Sequence, residues 1–355
     1  MTKVLHIDLG RQMRGGQWQV FYLARLQRQE GRYTPVVACP KASPLAGKLR
    51  EIDVEVVELA SMPHWNPFSF IKLLCAWRKH KFSIVHTHDA KAAACGAMFK
   101  RFLGKKICLV HTRRVSYPVK KASISKYKAA DAVVAVSQDT ANSLRNSGIP
   151  AAQLCVIHSG IDLARYVPRT PQNRERFIFL VVGALTPQKG HTVLIKAIKH
   201  LMEAEDMPPW EVRAIGDGPL FNSILAEAKA LKVEARLSLL GRQDASKIMP
   251  YCDVMVVPSV DGEGSSGTVK EAWAVGLPLI CSSLAANLEL VSNERNGLVF
   301  TSGQDEALAD AMRRLALDPA LCASLAESGR ESVQQYTADK MASSYTRLYN
   351  RILHF

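Results

Sequence analysis

Two carboxylates, Glu263 and Glu271, are separated by seven residues in the segment VPSVDGEGSSGTVKEAWAVGLPL at 257–279. The apolar residues 253–258 predict a buried parallel strand, a loop rich in glycine and serine follows, and residues 268–275 predict a helix. The free N–H groups and positive dipole at the start of such a helix bind anions. Carboxylates repel phosphates, so the two glutamates suit sugar hydroxyls instead. An ordinary strand–helix turn of a Rossmann-like sheet would show the same glycines.

Two further turns have the same construction. Residues 177–182 predict a strand, and the loop GALTPQKGH at 183–191 places Lys189 where it could reach a phosphate. Near the N-terminus, a strand leads through Gly15 and Gly16 into a predicted helix, although two glycines without the full GxGxxG pattern are a weak signal. The chain therefore offers three strand–loop–helix turns, each of which could bind an anion.

A metal site is a further hypothesis for the strand at 83–88. His86 and His88 are two residues apart, so both side chains would lie on one face of that strand. No convincing DxD-type metal motif accompanies them. We therefore expect no metal and no bound cofactor.

The length indicates two domains, because 355 residues exceed the usual size of one hydrophobic core. The alternation of predicted strands and helices indicates an α/β fold. The eight cysteines are scattered without a CxxC pair, which is typical of reduced thiols in the cytoplasm. The first residues predict a strand rather than a signal peptide, and no apolar run approaches the roughly 18 residues of a spanning helix.

The net charge of +14 is concentrated in the first half of the chain. Residues 1–165 hold 26 Lys and Arg against 10 Asp and Glu, which gives +16, and the rest gives −2. We expect a polyanionic partner: a membrane surface, a phosphorylated glycolipid or nucleic acid. Nucleic acid is disfavoured because the basic segments lack interleaved aromatic residues.

Asn66 and Pro67 predict the start of a helix, with Phe70, Ile71, Leu74 and Trp77 inward or membrane-facing. This helix is either a core helix with a basic end or an interfacial helix.

The two glutamates, with PS before them and EAWAVGLP after them, resemble the donor-site signature of retaining GT-B glycosyltransferases of family 4. The resemblance covers nearly the whole chain and is strongest over 153–162, 181–190 and 257–300. It implies an α/β GT-B fold, with two Rossmann-like domains facing across a cleft. The implied domains are 1–165 on the acceptor side and 166–335 for the nucleotide sugar, with a helix at 336–355 that crosses back to the N-domain.

The resemblance also implies roles for individual residues. In the family, the second glutamate holds the ribose and the first lies by the donor sugar, which here are Glu271 and Glu263. A histidine at the end of the strand 107–111, here His111, contacts the sugar, and Lys189 meets the diphosphate. We therefore expect catalytic roles for His111, Glu263 and Lys189. The expected donor site comprises Gly15, Gly16, Gly183, Lys189, Gly241, Arg242, Glu263, Gly267, Thr268 and Glu271.

One position departs from the family. An arginine usually follows the first glycine of the loop before Lys189, and Ala184 stands there instead. The loss of one charged contact costs about 1.5–3 kcal/mol if nothing replaces it. Another basic residue could replace the arginine or bind a phosphorylated acceptor, and the fork of a guanidinium suits phosphate especially well. The candidates for these roles are Arg113, Arg114, Lys120 and Lys121.

The function implied is metal-independent transfer of a sugar from a UDP-, GDP- or ADP-sugar to a hydroxyl of an anionic glycolipid, with retention of configuration. We expect lipopolysaccharide core as the acceptor and a peripheral location on the inner face of a bacterial inner membrane. Two alternatives are a nucleotide-sugar epimerase and a non-catalytic membrane- or glycan-binding protein, the latter because of Ala184.

Overall fold

The computed structural model describes residues 2–60, 67–169 and 175–353. The chain divides into two compact units. The first holds the residues up to Gly160 together with the segment that begins at Ala338, and the second is Ile161–Thr337. The expected Asn66 cap lies outside the described residues.

The first unit contains a parallel sheet of seven strands in the order β3-β2-β1-β4-β5-β6-β7 within the described chain. Its strands are β1 Thr2–Ile7, β2 Tyr33–Pro40, β3 Glu55–Leu59, β4 Ile84–Thr87, β5 Cys108–Arg113, β6 Ala132–Ala135 and β7 Leu154–Val156. Its first six helices are α1 Gly15–Glu30, α2 Pro44–Glu51, α3 Pro67–His80, α4 Ala90–Leu103, α5 Ile124–Lys128 and α6 Gln138–Asn146. Helices on both faces bury the sheet, which explains its near-continuous apolar strands.

The second unit contains a parallel sheet in the order β10-β9-β8-β11-β12-β13. Its strands are β8 Phe177–Val182, β9 Trp210–Ile215, β10 Leu237–Leu239, β11 Val254–Val257, β12 Leu279–Ser282 and β13 Leu298–Phe300. Its helices are α7 His191–Met202, α8 Phe221–Ala230, α9 Ala245–Ile248, α10 Gly267–Val275, α11 Ala285–Leu288, α12 Asp305–Leu317 and α13 Pro319–Val333.

Each sheet has a topological switch point, where the strand order reverses. In the first unit it lies between β1 and β4, and in the second between β8 and β11. Ligands of open α/β sheets bind in the crevice outside the carboxyl ends of the strands at such points. The turns that the sequence singled out follow β1, β8 and β11, so all three lie at switch points.

The last helix, α14 Ala338–Leu353, belongs to the first unit. Its apolar face buries Met341, Tyr345, Leu348 and Tyr349 in a cluster with residues of α1, β1, β4, β5 and β6. The expected return of the C-terminal helix to the N-terminal unit is therefore confirmed.

Helix α3 packs against the core of the first unit, as the core-helix alternative predicts, and one of its four expected apolar residues is exposed. Leu73 and Ala76 are buried, whereas Ile71, expected among the inward or membrane-facing positions, is exposed. Phe70, Leu74 and Trp77 pack against the core at its edge. Within the described chain, no helix combines the length and apolarity needed to cross a bilayer.

Candidate functional site

The turn after β8 packs against the end of β11 and so fixes the position of Lys189. Gly190 has a φ of 68°, and a Cβ there would lie 1.8 Å from the carbonyl oxygen of Pro258. Only glycine permits this approach. The stem of Lys189 lies over Gly183, whose N–H donates to the carbonyl of Ile215 at 3.0 Å. The lysine is thereby held at the switch point of the second unit.

The structure brings Lys189 and Glu263 together as an ion pair. The Nζ of Lys189 lies 2.5 Å from Oε1 of Glu263, and the Ser259 hydroxyl donates to the same oxygen at 2.6 Å. The two side chains are 32% and 9% exposed. The expected cation and the expected sugar-binding carboxylate therefore share one site and hold each other in the free protein.

Helix α10 starts beside this pair. The Ser266 hydroxyl caps the helix by accepting from the N–H of Val269 at 3.4 Å. The N–H groups of Gly267 and Thr268 belong to the first turn, which has no intrahelical acceptors to offer them. The positive end of α10 and Lys189 together make an anion-binding surface at the end of β11.

Glu271 is half-buried one turn into α10. Burial raises the pKa of its carboxyl above the usual value, while a hydrogen bond with the Tyr166 side chain and the nearby Arg165 charge favour the ionised form. Arg165 is itself paired with Asp244, with Nη2 and Oδ1 2.8 Å apart. Glu271 is thus surrounded by polar and charged groups, and its carboxylate can accept hydrogen bonds from hydroxyl groups.

The turns after β9 and β10 adjoin the turn after β8. Gly216 donates its N–H to the carbonyl of Gly241 at 2.9 Å, and a Cβ on Gly216 would lie 1.7 Å from the carbonyl of Gly183. The backbone of Gly241 therefore lies at the same edge of the sheet as Gly183. Arg242 is exposed.

Two buried groups of this region were missed by the sequence analysis. Lys270 is fully buried in the first turn of α10, and burial lowers its pKa to about 7. His191 starts α7 and is buried, with neither ring nitrogen bonded to a group that the structure describes. Burial and the Lys189 charge lower the pKa of His191 to about 4. No sequence signal marked either residue, because both stand at positions where apolar residues would continue the helix pattern.

In the first unit, Gly15 and Gly16 start α1, and the aliphatic stem of Arg114 lies beside Gly16. A Cβ on Gly16 would be 3.4 Å from Cδ of Arg114. Asp8 follows β1 and accepts hydrogen bonds from the N–H of Gly10 and the amide of Gln17, both at 2.9 Å. Its other oxygen, Oδ2, is buried without a partner among the described residues, and burial raises the pKa of Asp8.

Three histidines, His6, His86 and His88, gather in the core of the first unit, with ligand atoms within 4.8 Å of one another. Among the residues described, this is a group that could hold a metal ion. Hydrogen bonds already use it: Nε2 of His6 contacts Gln27 at 2.8 Å, and Nδ1 of His6 contacts Nε2 of His88 at 3.0 Å. Arg114 contacts the remaining nitrogen of His88 at 3.2 Å.

These bonds form one consistent chain of donors. His6 donates from Nε2 to the Gln27 carbonyl oxygen, accepts at Nδ1 from His88, and His88 accepts from Arg114. His86 is used by the Tyr349 hydroxyl at 2.6 Å and the Thr112 hydroxyl at 2.7 Å, and burial lowers the pKa of all three histidines. A neutral hydrogen-bonded network accounts for the cluster, and the expected absence of a metal stays a prediction.

His111 is 1% exposed, and both of its ring nitrogens contact groups of its own unit. Nε2 donates to the carbonyl of Lys126 at 2.9 Å, which leaves Nδ1 to accept from the Thr87 hydroxyl at 2.5 Å. Burial lowers the pKa of His111 to about 4. Its expected contact with the donor sugar stays a prediction, and it requires the ring to exchange one of these partners.

The four cations expected to bind phosphate do not form one cluster. Arg113 donates to the Tyr127 hydroxyl at 3.1 Å and to the Tyr117 carbonyl, and its guanidinium lies over the Tyr127 ring. Arg114 turns inward to the histidines, as described above. Lys120 and Lys121 are exposed. The two lysines are accessible to a large anionic partner, whereas Arg113 is engaged in local contacts.

Comparisons with known proteins agree with this geometry. A model of the glycosyltransferase family 4 matches residues 13–165, and a model of the glycosyl transferases group 1 matches residues 165–332. The chain is 28% identical over 277 residues to the UDP-Gal:alpha-D-GlcNAc-diphosphoundecaprenol alpha-1,3-galactosyltransferase of Escherichia coli, covering 71% of both chains.

Two further similarities extend this result. The chain is 27% identical over 236 residues to the N,N'-diacetylbacillosaminyl-diphospho-undecaprenol alpha-1,3-N-acetylgalactosaminyltransferase of Campylobacter jejuni, covering 64% of this chain and 62% of that one. The crystal structure of HepE from Anabaena in complex with UDP-glucose superposes with a TM-score of 0.86 at 19% identity, covering 99% of this chain and 100% of HepE. With two parallel-sheet Rossmann-like units and matches from residue 13 to residue 332, the chain belongs to the glycosyltransferases of family 4 and has the GT-B fold.

Proposed function

We propose that the protein transfers a sugar from a nucleotide diphosphate sugar to a hydroxyl of an anionic glycolipid, with retention of the anomeric configuration and without a metal ion. The observation that carries the proposal is the arrangement at the second switch point. There, a lysine, a carboxylate and the start of a helix lie together, and a second carboxylate follows one turn later.

Each part has a place in the reaction. Lys189 and the N–H groups of Gly267 and Thr268 bind the diphosphate and stabilise the charge that develops on it as the sugar leaves. Glu271 accepts from the ribose hydroxyls, and Glu263 from the hydroxyls of the donor sugar. In the proposed course the acceptor hydroxyl oxygen bonds to the anomeric carbon on the face from which the diphosphate departs, and the bond from that carbon to the diphosphate breaks. The hydroxyl proton passes to the departing diphosphate oxygen, so no carboxylate needs to act as a nucleophile.

Among nucleotide sugars, UDP-sugars are the donors that we propose first. The Escherichia coli relative is named for UDP-Gal, and the HepE structure contains UDP-glucose. The test is a thermal-shift panel of UDP-, GDP- and ADP-sugars on the wild type, Glu271→Ala and the surface control Glu327→Ala. A ligand that binds only the native state raises the melting temperature by mass action. One nucleotide sugar should stabilise the wild type and the control but not Glu271→Ala.

Turnover separates the proposed reaction from its rivals. The transferase should consume the donor only when an acceptor is present, and nuclear magnetic resonance should show the same anomeric configuration in donor and product. An epimerase would convert the donor without an acceptor. If no nucleotide sugar binds at millimolar concentration, the loss of the usual arginine at Ala184 has removed the donor site and the non-catalytic protein is the better reading.

The acceptor is proposed to carry a lipid and phosphate groups. Both bacterial relatives named above act on sugars linked to diphosphoundecaprenol, which favours a polyprenyl diphosphate-linked sugar. The acceptor expected from the sequence, lipopolysaccharide core, stays a prediction within the same class. Parallel assays with a GlcNAc-diphosphoundecaprenol and a truncated lipopolysaccharide core would distinguish them, because only the true acceptor should gain one sugar by mass.

Binding to an anionic membrane surface on the cytoplasmic side is part of the proposal. Helices α3 and α4 expose Phe68 (73%), Ile71 (53%) and Phe102 (68%), and Phe70 joins the two helices with its ring centroid 6.2 Å from that of Phe102. The two helices and the following turn also carry exposed basic residues, of which Lys79 is paired with Glu55 at 2.9 Å: Lys72, Arg78, Lys79, Arg101 and Lys105. Apolar side chains within a basic surface favour insertion between anionic headgroups.

Sedimentation with lipid vesicles tests the membrane surface. The wild type should bind vesicles of phosphatidylglycerol and not of phosphatidylcholine. Phe68→Ser combined with Phe102→Ser should weaken binding, whereas the control Leu288→Ser, at an exposed position of the second unit, should leave it unchanged. Equal binding of all variants would show that another surface carries the interaction.

A further inference from the structure

Lys270 is the buried lysine of the described chain, and it lies in an unfavourable place for a cation. It belongs to the first turn of α10, where the helix dipole is positive and repels an ammonium group. Burial adds a desolvation cost. A methionine or leucine would fill the same volume without either cost, so packing alone does not explain the ammonium group.

The contacts of Lys270 connect it to the anion-binding loop. Its Nζ donates to the Ser265 hydroxyl oxygen at 2.7 Å and lies 5.0 Å from the centre of the Tyr336 ring. Glu289 is the acidic group whose charge favours the ammonium form. Ser265 lies between Glu263 and the first residue of α10, within the loop that is proposed to take the donor diphosphate.

The direction of the hydrogen bond between Lys270 and Ser265 determines whether the Ser265 hydroxyl can donate to a ligand. Because the lysine donates to the serine oxygen, the serine keeps its own O–H to donate elsewhere. A positive charge behind a hydroxyl strengthens that donor, since hydrogen bonds in a low-dielectric interior polarise one another. The pair therefore delivers part of a positive charge to the loop through a neutral hydroxyl.

We propose that Lys270 supplies the second positive charge of the donor-diphosphate site, acting through the Ser265 hydroxyl. It would replace the arginine that the family usually has at the position of Ala184. The inference rests on the proposed function, because it assumes a diphosphate beside this loop. Lys270 is a positioning residue in this account: it orients and polarises Ser265 and does not touch the donor.

The test is UDP binding by calorimetry between pH 6 and pH 9 at constant ionic strength. Lys270→Met should bind UDP about tenfold more weakly than the wild type at pH 6.5, which corresponds to about 1.4 kcal/mol. The ratio of the two dissociation constants should approach one at high pH, where Lys270 of the wild type has lost its proton; the titration of UDP itself is common to both proteins and cancels. Lys196→Met, on the exposed face of α7, should match the wild type throughout.

A second variant distinguishes the proposed effect from misfolding of Lys270→Met. Ser265→Ala removes the hydroxyl without altering the core and should reproduce both the weaker binding and the loss of its pH dependence. A ratio for Lys270→Met that does not change with pH, or wild-type affinity in both variants, would overturn the inference while leaving the donor site intact. If the wild type binds none of UDP, GDP and ADP, the proposed donor site itself has failed, and this inference fails with it.

Discussion

The Lys189–Glu263 ion pair predicts that one substitution will raise nucleotide affinity and lower turnover. In the free protein Glu263 is paired with the ammonium group of Lys189, which is also the proposed partner of the diphosphate, with 2.5 Å between Nζ and Oε1. Glu263→Gln keeps the shape of the side chain and an oxygen that can accept from Ser259, but it removes the competing charge. The cation is then available to the incoming phosphate without first losing a partner.

The magnitude follows from the exposure of the pair. Lys189 is 32% exposed, so solvent screens the interaction and about 1 kcal/mol is a reasonable value for it. Since 1.4 kcal/mol is a factor of ten, UDP should bind Glu263→Gln about fivefold more tightly. Transfer should slow by roughly 10- to 100-fold, because a charged hydrogen bond to the donor sugar contributes about 1.5–3 kcal/mol.

Calorimetry with UDP and a steady-state transfer assay measure the two effects on the same preparation. Glu294→Gln is the matched control: Glu294 pairs with Arg314 on the surface of the same unit, and its loss should change neither quantity. Unchanged or weaker UDP binding by Glu263→Gln would refute the idea that the pair competes with the diphosphate.

Two further predictions concern stability. Burial lowers the pKa of His6, His111 and His191 to about 4, so between pH 6.5 and pH 4 the unfolded chain binds protons that these folded rings do not. The free energy of unfolding in urea should therefore decrease as the pH is lowered, by up to roughly 4 kcal/mol per pH unit from these three rings. A flat profile from pH 6.5 to pH 5 would contradict this. Tyr349→Phe strips a fully buried hydroxyl from a histidine nitrogen and should cost about 1–3 kcal/mol in the same assay, whereas Tyr251→Phe, at an exposed position, should stay within about 0.5 kcal/mol of the wild type.

Local patterns predicted the parts of the site that local chemistry builds. The strand, the loop and the helix around Glu263 and Glu271 follow from apolar runs and from glycines and serines in the loop, which act over a few residues. The turn before Lys189 follows in the same way. Because parallel strands end at one edge of a sheet, the strand order then brings these turns together.

Pairings between distant residues could not be predicted in the same way. The ion pair joins Lys189 to a glutamate 74 positions away, and no pattern in either segment encodes that contact. Arg113 and Arg114 had the same expected role, yet adjacent residues at a strand end point in opposite directions, and one meets Tyr127 while the other meets His88. Asp8 was overlooked because a single aspartate after a strand is unremarkable until its neighbours are known.

The placement of α14 has a consequence for synthesis on the ribosome. The chain leaves the first unit at Gly160 and returns only at Ala338, so the whole second unit is made in between. At about 5–20 residues per second, that interval lasts roughly 10–35 seconds. Throughout it, the side of the first sheet that will hold Met341, Tyr345 and Leu348 is covered by α1 but not by α14. The nascent protein therefore presents an apolar surface to chaperones until its final helix emerges, and truncations within that helix should aggregate during expression rather than merely lose activity.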